Sequence, residues 1–154
     1  MHRSPILVAL VGLLHLTTAH AQDTWPAPIT AKLDEARGEC AAFENGELTV
    51  AWDAVRRTDL TGDGQLDHVL DLQKLTCSSA ASLYCGTGGC SVLFVVGDTV
   101  TERLSKGWSV ERFDFLTVLL NQMHGSACGG TNLNPCVEAL VWDHDENRFF
   151  SLAD

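Results

Sequence analysis

Basic residues are scarce in this chain of 154 residues. Ten Lys and Arg residues stand against twenty Asp and Glu residues, so the formal net charge is −10. A protein this acidic is repelled by nucleic acid and by anionic membrane surfaces, and we expect neither as a partner. The same charge suits the protein to binding cations or a basic protein partner.

A hydrophobic run long enough to cross a membrane is also missing. The longest apolar stretch, residues 6–16, is far shorter than the run of about 20 residues that a spanning helix needs. It follows Arg3 and precedes Ala19-His20-Ala21, a small-residue cleavage pattern. We therefore predict a signal peptide at 1–21 and a single secreted domain at 22–154, located in the periplasm or outside the cell. Cleavage would remove Arg3, so the mature domain would be more acidic than the full chain.

Paired C-x-x-C motifs are absent, which disfavours a zinc site. An even number of cysteines in an exported chain predicts three disulfides. The six are Cys40, Cys77, Cys85, Cys90, Cys128 and Cys136. Cys128–Cys136 is the firmest pair, because it closes the short polar loop "CGGTNLNPC". For the other four, Cys77–Cys90 with Cys40–Cys85 is favoured, and Cys77–Cys85 with Cys40–Cys90 stays open.

Internal repeats, linkers and low-complexity segments do not occur, which indicates one domain. The prolines of "TWPAPIT" favour an extended leader, after which Thr30 caps a helix that ends at Asn45-Gly46. The predicted buried stripe of this helix recurs at three- and four-residue spacing. Its members are Ile29, Leu33, Ala36, Cys40 and Phe43.

From Leu48 onward the apolar period changes to two, which is typical of strands. The first strand places Leu48, Val50, Trp52 and Ala54 on one face, and a second places Leu66, His68, Leu70 and Leu72 together. "SVLFVV" at 91–96 is apolar on both faces and predicts a central strand. Later strands are "TVTERL", "WSVERF", "FLTVLLNQM" and a hairpin of "VEALVWD" and "RFFSL". We predict a monomeric α+β domain, with the helix packed on a mostly antiparallel sheet of about seven strands.

The turn between the first two strands carries the predicted metal site. A twelve-residue calcium loop takes oxygen ligands from its positions 1, 3, 5, 7 and 9. These positions hold Asp59, Thr61, Asp63, Gln65 and Asp67. Leu70 replaces the bidentate Glu of position 12, so we expect one weak Ca²⁺ site with a Kd of about 10⁻⁴–10⁻³ M. The alternative is an acidic hairpin with solvated aspartates and local hydrogen bonds.

The stretch "DLTGDGQLD" resembles the D-x-N-G-D-G-x-x-D loop of FG-GAP and VCBS-type repeats. In those repeats a calcium-holding turn joins two strands, and Thr61 here stands where they carry Asn or Asp. More widely, the chain resembles a family of small exported bacterial proteins of unknown activity. The resemblance rests on the leader, "DLTGDGQLDHVLD", "CGTGGC", "HGSACG" and the final hairpin. It implies a shared fold and no activity.

A catalytic site is not predicted. In "HGSACGG" the spacing of His124 and Ser126 suggests a hydrolase as the alternative function, although the motif is not the G-x-S-x-G elbow. A transition-metal site of His68, His124 and His144 is disfavoured, because His68 falls on an apolar strand face. The sequence therefore predicts an exported, calcium-binding, non-enzymatic domain that binds a basic protein partner.

Overall fold

The structure, a computed structural model, describes residues 25–152. Within that range the chain forms one α-helix, eleven strands and two short 3₁₀ helices, Leu72–Lys74 and Gly125–Cys128. In chain order these are α1 (Ala27–Ala42), β1 (Leu48–Val50), β2 (Val55–Thr58), β3 (Asp67–Asp71), β4 (Leu75–Cys77), β5 (Cys85–Gly86), β6 (Gly89–Val96), β7 (Thr99–Ser105), β8 (Gly107–Phe113), β9 (Leu116–Gln122), β10 (Val137–Asp143) and β11 (Arg148–Ser151). The predicted signal peptide at 1–21 lies outside the described residues.

The strands form three sheets in which every pairing is antiparallel. The first sheet has the order β2-β3-β6-β5, with β7 pairing with β6, and the second has the order β11-β10-β9-β8. A separate pair joins β1 to β4. The predicted α+β class with antiparallel pairing is confirmed. The predicted single sheet of about seven strands is wrong, because eleven strands form three sheets and short strands flank the main ones.

Two hydrophobic cores lie on opposite faces of the first sheet. One core packs α1 against this sheet and includes Ile29, Leu70 and Leu93. The other fills the space between the two larger sheets and includes Val69 and Phe94. Strands β3 and β6 are therefore buried on both faces, which is why "SVLFVV" is apolar throughout and lies centrally, as predicted.

The start of α1 differs from the prediction. The helix begins at Ala27 with Pro26 as its N-cap and Pro28 in its first turn, so Thr30 is not the cap. The prolines do not exclude helix here, because a first-turn residue has no intrahelical partner for its N–H. The helix ends at Ala42, before the predicted Asn45-Gly46, and Asn45 follows with a left-handed φ of 55°.

Three large apolar residues predicted to face the core are exposed. The first predicted strand stops at Val50, and Trp52 lies in the following turn with 95% of its surface exposed. Leu66 precedes β3 and is 52% exposed, while Phe43 follows α1 and is 48% exposed. The alternation of apolar and polar residues continues through Trp52 in the sequence, but β1 ends at Val50 and the chain turns at Trp52.

The three predicted disulfides form, with partly different partners. Cys128–Cys136 is confirmed. The favoured pairs Cys77–Cys90 and Cys40–Cys85 are wrong, as is the open alternative, because the bridges are Cys40–Cys77 and Cys85–Cys90. The pairing of β1 with β4 brings Cys77 to the end of α1, and the tight β5–β6 hairpin sets Cys85 directly opposite Cys90.

Candidate functional site

The turn of residues 59–66 joins β2 to β3 and is organised around Asp59. The Asp59 side chain is only 2% exposed. Its Oδ1 accepts the backbone N–H of Gly62 at 2.7 Å and of Thr61 at 3.2 Å, and its Oδ2 accepts that of Gly64 at 2.9 Å. One carboxylate therefore accepts hydrogen bonds from three backbone N–H groups of the turn. Local hydrogen bonding of this Asx type is what the alternative prediction, an acidic hairpin, expects.

Arg112 supplies the counter-charge for Asp59. Its Nη2 lies 3.0 Å from Asp59 Oδ2, and it reaches the turn from β8. Burial acts to raise the pKa of Asp59, but the Gly62 and Gly64 N–H groups and the Arg112 guanidinium outweigh burial and hold that pKa below its usual range. Asp59 is thus kept ionised within the fold.

Gly62 allows the turn to pack on the second sheet. Its φ is 85°, in the left-handed region, and a Cβ there would lie 2.7 Å from Thr117 Oγ1 on β9. This close approach and the Arg112–Asp59 pair place the turn against the β8–β9 connection.

Three of the five predicted calcium ligands share one cavity. Asp63, Gln65 and Asp67 line a surface cavity of about 420 Å³, together with Pro26 at the start of α1. Asp67 Oδ2 accepts the N–H of Leu60 at 2.8 Å. Burial, followed by the charges of Asp63 and Asp59, raises the pKa of Asp67 despite that hydrogen bond.

The other two predicted ligands do not line this cavity. Asp59 binds backbone N–H groups and Arg112, and the hydroxyl of Thr61 lies 3.4 Å from Asp59 Oδ1. Among residues 25–152, no group of three His, Cys, Asp or Glu side chains is already placed to hold a metal ion. His68, His124 and His144 accordingly do not form a cluster.

Four turns meet at this end of the molecule. The 59–66 and 97–98 turns lie at the same edge of the first sheet, because β6 runs antiparallel to β3. The 114–115 and 144–147 turns lie at one edge of the second sheet, and Arg112–Asp59 joins the two edges. The four turns hold six acidic residues and no Lys or Arg: Asp59, Asp63, Asp98, Asp114, Asp145 and Glu146. We call these four turns the acidic end.

Three arginines lie beside the acidic end; Arg112 and Arg148 are paired, whereas Arg57 on β2 has no ion-pair partner among the described residues. Arg112 binds Asp59, and Arg148 Nε lies 2.5 Å from Glu146. The remaining four acids of the six have no ion-pair partner among the described residues. Their unbalanced charge gives this end a negative field, which steers cations toward it.

His124 and Ser126 lie at the opposite end of the sandwich, beyond β9. Their Nδ1 and Oγ atoms are 2.7 Å apart, but the same Nδ1 also accepts the Ser126 backbone N–H at 3.1 Å. The histidine thus caps the 3₁₀ helix at Gly125–Cys128. The N–H groups of Gly129 and Gly130 bind carbonyl oxygens of the same loop, so they form no oxyanion hole.

Sequence reasoning missed Arg112, which lies 53 residues from Asp59 in the chain. The alternation of "WSVERF" does place Arg112 on the same strand face as Trp108 and Val110, and this face packs toward the first sheet. A charged residue on a core-facing position is the signal that indicates a buried partner.

Comparison with protein-family models, with curated proteins and with solved structures found no match to this chain. Three disulfides indicate an oxidising location outside the cytoplasm. Within residues 25–152, α1 is neither long nor apolar enough to traverse a lipid bilayer.

Proposed function

We propose that this protein is an exported, non-enzymatic binding domain whose acidic end binds a cationic segment of another protein. The observation that carries the proposal is the set of four adjacent turns with six acidic residues and no Lys or Arg. Ionised groups focused on one end raise both the encounter rate and the specificity for a basic partner. The sheets behind the turns hold them in fixed positions, so little ordering cost arises on binding.

An octalysine peptide tests the proposal directly. Its binding to the full chain is measured by fluorescence anisotropy, and the affinity should fall at least several-fold between about 20 mM and about 200 mM NaCl, because salt screens exposed charges. Removal of three unpaired charges by Asp63→Asn, Asp114→Asn and Asp145→Asn should weaken binding about tenfold.

A matched control removes three exposed charges elsewhere. Glu39, Glu44 and Glu47 lie at and beyond the far end of α1, and none has an ion-pair partner among the described residues. Their triple replacement by Gln changes net charge equally and should weaken octalysine binding less than about threefold. Equal losses for the two triple variants would mean that net charge alone acts, and would overturn the proposal.

Calcium is the small cation that we propose for the same end. Asp63, Gln65 and Asp67 lie around one cavity, and neither Asp63 nor Asp67 has an ion-pair partner among the described residues. Each carboxylate oxygen keeps a second lone pair when it accepts one hydrogen bond, so metal binding and the turn's hydrogen bonds are compatible. The missing position-12 ligand keeps this proposed site weak.

A further inference from the structure

A second surface lies along β2, the strand that leads into the 59–66 turn, and has the opposite charge to the acidic end. Trp52, Asp53, Val55, Arg56 and Arg57 line a shallow cavity of about 470 Å³, which we call the β2 edge surface. Trp52 is 95% exposed, and both arginines are exposed. Tryptophan and arginine are the residues most enriched among those that dominate binding energy at protein interfaces.

The β2 edge surface is basic although the whole chain carries −10. Its acidic member, Asp53, lies 3.0 Å from Lys74 Nζ, and this hydrogen bond and charge hold the pKa of Asp53 below its usual range. Asp53 is therefore neutralised by Lys74, whereas neither Arg56 nor Arg57 forms an ion pair among the described residues. An anionic ligand complements this surface.

Arg56 is held in place before any ligand arrives. Its guanidinium carbon lies 4.8 Å from the ring centroid of Trp108, within cation–π range. Trp108 is fixed in turn by an edge-to-face contact with Phe94 and by its Nε1, which lies 3.4 Å from Asp71 Oδ2. A side chain that is already ordered loses little entropy on binding.

The backbone of β2 is open on the side away from β3. Among the described residues, β2 pairs only with β3. The N–H of Asp71 donates to the carbonyl of Ala54 at 2.9 Å, so Ala54 directs its backbone polar groups toward β3. In an antiparallel ladder, successive residues of a strand direct these groups alternately toward the partner strand and away from it. Arg56 and Thr58 therefore face β3, while Val55 and Arg57 direct their N–H and C=O groups outward. Such an edge accepts an added strand.

We propose that the β2 edge surface binds an extended acidic peptide segment, which adds to β2 as a further strand. Consecutive residues of a strand point to opposite faces, and so do Arg56 and Arg57, so adjacent acidic residues of the peptide can pair with both. Trp52 then covers an apolar side chain of the peptide. The open backbone favours a peptide over an acidic polysaccharide, which has no matching row of N–H and C=O groups.

The test begins with random octapeptides displayed on phage and selected on the full chain. The enriched sequences should contain adjacent Asp or Glu residues. The most enriched peptide is synthesised with a fluorescent label, and Trp52→Ala and Arg57→Ala should each weaken its binding about tenfold. Exposure of Trp52 means that its replacement leaves the fold intact, which an unchanged melting temperature verifies.

Matched variants distinguish binding at the β2 edge surface from the loss of any exposed aromatic ring or any exposed arginine. Phe115→Ala removes another aromatic ring that is 93% exposed, and Arg37→Ala removes another exposed arginine, on α1. Both should change the affinity less than about twofold. A peptide N-methylated at alternate residues should bind about tenfold more weakly, since it cannot complete the added ladder.

Each contrary result overturns the proposal. Enrichment without acidic residues, equal binding by Trp52→Ala, or equal binding by the N-methylated peptide would each contradict strand addition at β2. Polygalacturonate that binds the wild type and not Trp52→Ala, combined with no acidic peptide enrichment, would assign the surface to an acidic polysaccharide.

Discussion

The 59–66 turn and the loop at 123–136 lie at opposite ends of the sandwich and are stabilised by different chemistry. The first is built around Asp59, a buried carboxylate that accepts three backbone N–H groups and pairs with Arg112. The second is closed by Cys128–Cys136 and capped by the half-buried His124. The turn therefore depends on ionisation for its stability, and the loop depends on oxidation.

The disulfides give the largest expected effect. Replacing Cys40 and Cys77 by Ala should lower the free energy of unfolding by about 4 kcal/mol, because that bridge closes a long loop of the unfolded chain. Replacing Cys128 and Cys136 by Ala should cost about 2.5 kcal/mol, since its loop is short. Urea denaturation of the two double variants measures the difference. Equal losses, or the reverse order, would contradict the assigned bridges.

Asp59→Asn should cost about 3 kcal/mol near neutral pH, because the buried turn loses a charged acceptor and leaves Arg112 unpaired. The folded pKa of Asp59 lies below that of the unfolded chain, so its stabilisation is present above about pH 4 and is lost as pH falls further. Urea titrations at several pH values should show the gap between wild type and variant shrinking in acid.

The exposed Asp98 in the 97–98 turn gives the matched control for that substitution. Asp98→Asn should change the free energy of unfolding by less than about 0.5 kcal/mol at any pH. A gap for Asp59→Asn that stays constant down to acid pH would mean that its charge does not support the turn.

Calcium should have a smaller effect on stability. With a Kd of about 1 mM, about 10 mM calcium adds about 1.4 kcal/mol and raises the melting temperature by a few degrees. Magnesium should do less, because it demands a rigid octahedron. Asp63→Ala should abolish the shift, whereas Asp98→Ala should retain it. If the wild type and Asp63→Ala have the same melting temperature in EDTA and the same melting temperature in calcium, the proposed calcium site is wrong.

No effect is expected at Ser126 from a fluorophosphonate probe. The His124 ring is engaged in capping, and the Gly129 and Gly130 N–H groups are already bonded within the loop. Intact-mass spectrometry after incubation should show an unmodified chain. A stoichiometric adduct mapped to Ser126, and lost in His124→Ala, would favour the hydrolase and count against a purely binding function.

Many of the individual strands could be predicted from local sequence pattern, but their partners in the sheets could not. Strand β6 and the β10–β11 hairpin follow from apolar runs and turn residues close together in the chain. The bridge Cys40–Cys77 depends instead on how β1 and β4 pair across 37 residues, which no local period reveals. Arg112 was missed for the same reason, since its contact with Asp59 is set by the packing of two sheets.

Binding of octalysine at the acidic end is tested most directly by mapping the interaction residue by residue. Amide chemical-shift changes are recorded on the ¹⁵N-labelled chain during titration with the peptide. The largest changes are expected in the 59–66, 97–98, 114–115 and 144–147 turns, whereas residues 123–136 should stay unperturbed. Changes concentrated in 123–136, or spread evenly over all exposed acidic residues, would contradict binding at the acidic end.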